Sequence, residues 1–118
     1  MKRGEIWLVS GGADYAGKPR PAVILQDDAF PPDASVTLCM FTSNETEAPM
    51  VRIPISPSAK NGLKKISRLM VDKITTVAVT KVDRQIGALK PDELLQLNQA
   101  VIVFLGLASP SRPAKATP

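Results

Sequence analysis

A mainly β fold (α+β), built as a small, strongly bent antiparallel β-barrel with one C-terminal helix, is predicted by three features of this chain. As far as Lys90, apolar residues recur with a period of two or in short continuous runs. Turn-forming residues separate these runs, notably Pro31-Pro32-Asp33 and Asn61-Gly62. After Lys90 the apolar period becomes helical. Many short strands followed by one helix point to a barrel of the SH3-like kind. The 118 residues fit one domain with a single core, residues 1–108. Residues 109–118 hold three prolines, two cations and no large apolar side chain, and read as a disordered Pro-rich tail.

The first expected strand is Arg3–Val9, in which Ile6 and Leu8 alternate with their neighbours. A Gly-rich loop, Ser10 to Pro19, leads to Arg20-Pro21-Ala22-Val23-Ile24-Leu25-Gln26. Pro21 excludes a helical Arg20, so a cation is held extended by rigid backbone beside a loop. The runs at 22–26 and 36–41 are continuously apolar, as in strands buried on both faces. Val51, Ile53 and Ile55 alternate with polar positions, and Pro54 marks that strand as an edge or a bulge. Shorter strands are expected at Leu69–Val71, Ile74–Val79 and Gln85–Gly87. Pro91 suits the first helical position, Asp92 and Glu93 favour the positive end of the helix dipole, and Leu94, Leu97, Val101, Phe104/Leu105 and Ala108 form the apolar stripe.

Hydrophobic residues make up 44% of the chain and charged residues 22%, and no run has the length of a membrane span. The apolar run after the basic start is too short for a signal-peptide core, and the lone Cys39 cannot form an intramolecular disulfide. Both features suit a soluble, cytoplasmic protein. The net charge of +4 attracts polyanions, and Lys60, Lys64, Lys65, Arg68 and Lys73 crowd one segment.

Elimination narrows the chemistry. The chain has no His and one Cys, which removes the usual neutral-pH base, a Cys/His nucleophile pair and a zinc finger. Its glycines Gly11-Gly12 and Gly17 lie between strands rather than before a helix, so no nucleotide cofactor is expected, and no metal. What remains is a reaction whose substrate brings its own nucleophile and whose developing negative charge needs a cation. RNA transesterification by the ribose 2′-hydroxyl fits. Arg20 offers a planar fork for phosphate oxygens, and the strand at 36–41 ends in Thr42-Ser43-Asn44, three small polar groups able to reach the same phosphate. Tyr15 and Lys18, in the loop before Arg20, are candidates for base stacking and phosphate contact. Cys39 reads as a core residue, and Trp7 as packing on the barrel surface or at a dimer seam.

The opening Lys2-Arg3-Gly4-Glu5-Ile6-Trp7 and the segment Arg20-Pro21-Ala22-Val23-Ile24-Leu25 resemble the MazF/PemK (Kid) family of toxin endoribonucleases. Further points of resemblance are Asn61-Gly62-Leu63 leading to Ser67, Asp72-Lys73-Ile74-Thr75-Thr76-Val77, and Ile86-Gly87-Ala88-Leu89. The resemblance implies a PemK/CcdB-like barrel with a C-terminal helix. It also implies sequence-selective, metal-independent cleavage of single-stranded mRNA to a 2′,3′-cyclic phosphate and a 5′-hydroxyl. Arg20 and Thr42 then take the catalytic places, with Ser43 as the alternative hydroxyl. Arg20 acts electrostatically, with or without a part in proton transfer. Ser43, Asn44, Tyr15, Lys18, Lys65, Arg68, Asp72 and Lys73 fall where substrate is bound. A homodimer and an acidic antitoxin crossing the RNA groove are implied as partners. Many relatives carry Glu-Gln at Asp72-Lys73 and Arg at Thr75, departures that bear on base specificity. Two other functions compete. A CcdB-like gyrase inhibitor shares the fold but acts through a Trp-Gly-Ile end where this chain has Ala116-Thr117-Pro118. A non-catalytic nucleic-acid-binding module would use the basic surface alone.

Overall fold

The computed structural model describes residues 1–10, 18–45 and 50–108. The expectations for Tyr15, for most of the Ser10–Pro19 loop and for the 109–118 tail therefore lie outside the described residues. Seven strands precede the helix: β1 (Glu5–Val9), β2 (Arg20–Ile24), β3 (Ser35–Thr42), β4 (Arg52–Ile55), β5 (Ser67–Met70), β6 (Thr75–Ala78) and β7 (Val82–Ala88), then α1 (Pro91–Phe104). All pairs are antiparallel, in the order β4-β5-β3-β2-β1-β7, with β6 pairing on β3. Pro54 sits on β4, at an end of this path, as its missing donor requires.

β3 organises the sheet. Its first half, Ser35–Leu38, pairs with β6, while Phe41 and Thr42 pair with β5. The path ends at β4 and β7 without a ladder joining them among the described residues. A loop crosses that gap instead, through the Ala88 N–H donating to the Lys60 carbonyl at 3.0 Å.

The continuous apolar runs are buried on both sides, as expected. Val23, Cys39 and Phe41 belong to a core shared with Ile6, Ile53, Leu69 and Leu97 of α1, while Ala22, Ile24, Leu38 and Met40 form a second cluster with Val9 and Val36. Trp7 packs against the second cluster and donates its indole N–H to Glu5 Oε1 at 3.0 Å. Burial alone would raise the Glu5 carboxyl, but donors from Lys2 and Trp7 and the nearby amino terminus outweigh it and hold the group low. Cys39 is fully buried, and burial with nearby Asp72 pushes its thiol up to about 12.

Several boundaries differ from expectation, among them the early starts of β5 and β7 at Ser67 and Val82. Arg3-Gly4 forms a turn rather than strand, with Gly4 at φ 89°. Val71–Lys73 forms a 3-10 turn, fixed by the Val71 N–H to the Val51 carbonyl at 2.8 Å and by the Asp72 side chain, which accepts from Arg52. The helix stops at Phe104 instead of running to Ala108. Gly106, at φ 75°, donates to the Val103 carbonyl and Leu107 to that of Ile102, a Schellman ending that only a left-handed residue permits. Phe104 and Leu105, expected on the buried stripe, are exposed, while Leu97 is buried and Leu94 and Val101 pack on the core.

Candidate active site

Strand register brings Arg20 and Thr42 together. β2 and β3 pair with Ala22 opposite Met40, and continuing that ladder by two residues sets Arg20 opposite Thr42. Both line a cleft of about 330 Å³ together with Ser43, Lys64, Lys65 and Arg84. Its floor is apolar, formed by Leu8, Phe41, Leu63 and Ile86, and no acidic side chain lines it among the described residues. Four cations, with no acid opposing them among the described residues, give the cleft a positive potential that concentrates phosphate.

The Thr42 hydroxyl is oriented by the backbone. Its Oγ1 accepts from the Asn44 N–H at 3.1 Å, which directs the hydroxyl proton away from that bond and leaves it to donate. Arg68 pairs across the ladder from Thr42 and donates to the Asn44 carbonyl at 3.5 Å, so it steadies the turn that carries these groups. The partly buried Arg20 begins β2 opposite Val9 of β1, which holds its backbone on that edge. Lys18 is exposed two residues before it.

Asp72 and Lys73 are not brought to this cleft. Asp72 binds Arg52 Nε at 2.8 Å and Nη2 at 3.1 Å, and borders a separate groove with Leu25, Thr37, Ile74 and Val101. The Arg52 bonds hold its carboxyl below the usual carboxylate range. Lys73 is exposed on the same turn. Among the described residues no three His, Cys, Asp or Glu side chains group as metal ligands.

A family model described as PemK-like, MazF-like toxin of type II toxin-antitoxin system matches residues 2–105. The chain belongs to the PemK/MazF toxin family. It is 43% identical over 108 residues to the "Probable endoribonuclease MazF" of Mycolicibacterium smegmatis, covering 92% of this chain and 99% of that protein. It is 29% identical over 118 residues to "Endoribonuclease MazF9" of Mycobacterium tuberculosis, again covering 92% and 99%. Among solved structures, the Mycobacterium tuberculosis toxin MazF-mt6 superposes with TM-score 0.73 at 26% identity, over 89% of this chain and 99% of that one. A mycobacterial endoribonuclease in complex with its cognate antitoxin superposes with TM-score 0.76 at 22% identity, over 93% and 99%.

In this PemK/MazF chain, Arg84 and Ser67 join the cleft although sequence reasoning left them out of the site. The side to which Arg84 points depends on register shifts in the β1–β7 ladder, between Ile6 and Trp7 and between Trp7 and Val9. Nothing in the local pattern of β7 announces them.

Proposed function

We propose that this PemK/MazF chain is a metal-independent, sequence-selective endoribonuclease acting on single-stranded mRNA, the toxin of a type II pair. The observation that carries the reading is that Arg20 and Thr42, at the ends of the paired strands β2 and β3, line one cation-rimmed cleft to which no described acidic residue contributes. The relatives named as endoribonucleases support the activity. In the proposed reaction the ribose 2′-oxygen forms a new bond to phosphorus and the bond to the 5′-oxygen breaks. The 2′ proton is lost and the leaving oxygen gains one. Arg20 binds the non-bridging oxygens bidentately and Thr42 donates its hydroxyl proton to one of them, both interactions strengthening as charge builds in the transition state. Ser43 is the second hydroxyl within the cleft. The substrate supplies the nucleophile, and with no His in the chain the 2′ proton passes to solvent water and the leaving 5′-oxygen takes its proton from water, with Arg20 stabilising the charge between them.

Two partners accompany this reading. Leu95, Ile102, Phe104, Leu105 and Leu107 are large apolar side chains left exposed on α1 and the turn after it, a surface suited to a homodimer. An acidic antitoxin segment carrying large apolar residues complements a basic cleft with an apolar floor, and a cognate antitoxin accompanies one structural relative. No helix among the described residues is long and apolar enough to cross a membrane, and the proposed place of action is the cytoplasm.

The test is cleavage of a long RNA by purified protein, with EDTA and with Mg²⁺. Cleavage that survives EDTA and leaves a 2′,3′-cyclic phosphate with a 5′-hydroxyl supports the reading. Mg²⁺ dependence or a 5′-phosphate product refutes the mechanism.

A further inference from the structure

Two of the four cleft cations, Lys64 and Lys65, stand on a loop rather than a strand, and the loop is unusually well fastened. Asn61 is fully buried at its centre. Its Oδ1 accepts from the Ser58 N–H at 3.0 Å and the Leu63 N–H at 2.9 Å, and its Nδ2 donates to the Ser56 carbonyl at 2.8 Å. One side chain therefore ties both arms of the loop together. The next residue locks that knot onto the sheet. Gly62 sits at φ +70°, and a Cβ there would lie 2.2 Å from the Ile86 carbonyl oxygen of β7. From the other side, a Cβ on Gly87 would lie 2.4 Å from the Lys60 carbonyl oxygen. Beyond the lysines, the buried Ser67 hydroxyl donates to the Lys65 carbonyl at 3.1 Å. The lysine backbone is thus pinned between buried Leu63 and buried Ser67, while both side chains remain exposed over the cleft.

We propose that Asn61, acting with the Gly62–Gly87 contact, is a positioning residue for RNA: it sets the two-lysine arm of the cleft opposite Arg20 without touching substrate. The inference rests on the reading of the cleft as an RNA site. Cations fixed before binding lose less entropy on meeting phosphate than cations on a slack loop. The arm therefore governs how firmly the flanking backbone is held, while Arg20 and Thr42 govern the chemical step. A side chain that merely satisfied a buried turn would affect stability and leave the count of phosphate contacts unchanged.

Four proteins separate these cases: the wild type, Gly87→Ala, the Lys64→Ala/Lys65→Ala double variant, and the triple variant combining them. Each is assayed below its melting temperature for KM and single-turnover rate on RNA. Affinity for an uncleavable 2′-O-methyl RNA oligonucleotide is measured across salt concentration. Loss of two phosphate contacts lowers the salt slope by about 1.4, at ~0.7 per contact for single strands. Gly87→Ala is expected to reproduce most of that loss and raise KM roughly tenfold, with the single-turnover rate within about twofold of wild type. In the triple variant, Gly87→Ala adds nothing to the slope change already made by the two lysine substitutions. An unchanged slope and KM in folded Gly87→Ala, or an additive effect in the triple variant, overturns the inference. If Gly87→Ala does not fold, Asn61→Asp gives the same comparison with a smaller expected drop. It keeps the acceptors for Ser58 and Leu63 and loses the donor to Ser56. A wild type that neither binds nor cleaves RNA overturns the reading of the cleft instead.

Discussion

Arg20→Ala removes the one cleft cation that register sets opposite Thr42, and cleavage should fall by about 10²–10³, the usual cost of a lost oxyanion donor. Arg20→Lys keeps the charge but loses the fork, so its rate should lie between the two. Thr42→Ala should cost less, because Ser43 is a second hydroxyl in the same cleft. Single-turnover rates on one RNA, with circular dichroism to verify folding, measure all three. A folded Arg20→Ala variant with near-wild-type rate would remove Arg20 from the mechanism. The strands that carry Arg20 and Thr42 were legible in the sequence because their apolar runs are unmistakable. The place of Arg84 was not, because register shifts in its own ladder with β1 decide where it points.

Between elements, the Arg52–Asp72 clasp joins the edge strand β4 to the 3-10 turn after β5. The Arg52 bonds lower the Asp72 carboxyl, so the folded chain binds fewer protons there than the unfolded chain between the lowered value and the ordinary one. The stabilisation is complete above the ordinary Asp value of about 3.9 and is lost as pH falls through the lower folded value. With side-chain exposures of 11% and 29% the pair is partly solvated, and its worth is of order 1 kcal/mol. Asp72→Asn should therefore lower Tm at pH 7, and its difference from wild type should shrink below about pH 4. A difference that persisted in acid would assign the loss to something other than this carboxylate. In the sequence Asp72-Lys73 lies among basic residues and resembles a family landmark, which suggested the substrate groove. The turn at Val71 instead sends Asp72 to Arg52, a partner twenty residues away that no local pattern identifies.

For the whole molecule, charge reversal tests the proposed polyanion surface. Lys65→Glu with Arg68→Glu should weaken RNA and antitoxin binding together and flatten the salt dependence of both. Unchanged affinities at low and high salt would place the partner surface elsewhere. The exposed apolar residues of α1 and its ending predict a dimer at micromolar concentration, and light scattering showing only monomer would contradict it. The mainly β class, the edge position of Pro54 and the single helix could be read from period and punctuation. How the sheet's ends meet could not, since it depends on long-range contacts of the 60–62 loop with Ile86, Gly87 and Ala88.

The sharing of one edge of β3 between β6 and β5 has a consequence for how the protein opens. No strand can leave that edge without exposing part of β3, and β2 covers its other edge through Ala22, Val23 and Ile24. The amides of Leu38 to Phe41 should then exchange with deuterium only through global unfolding. A toxin built this way can have its cleft loops retuned without loosening the frame that carries Arg20.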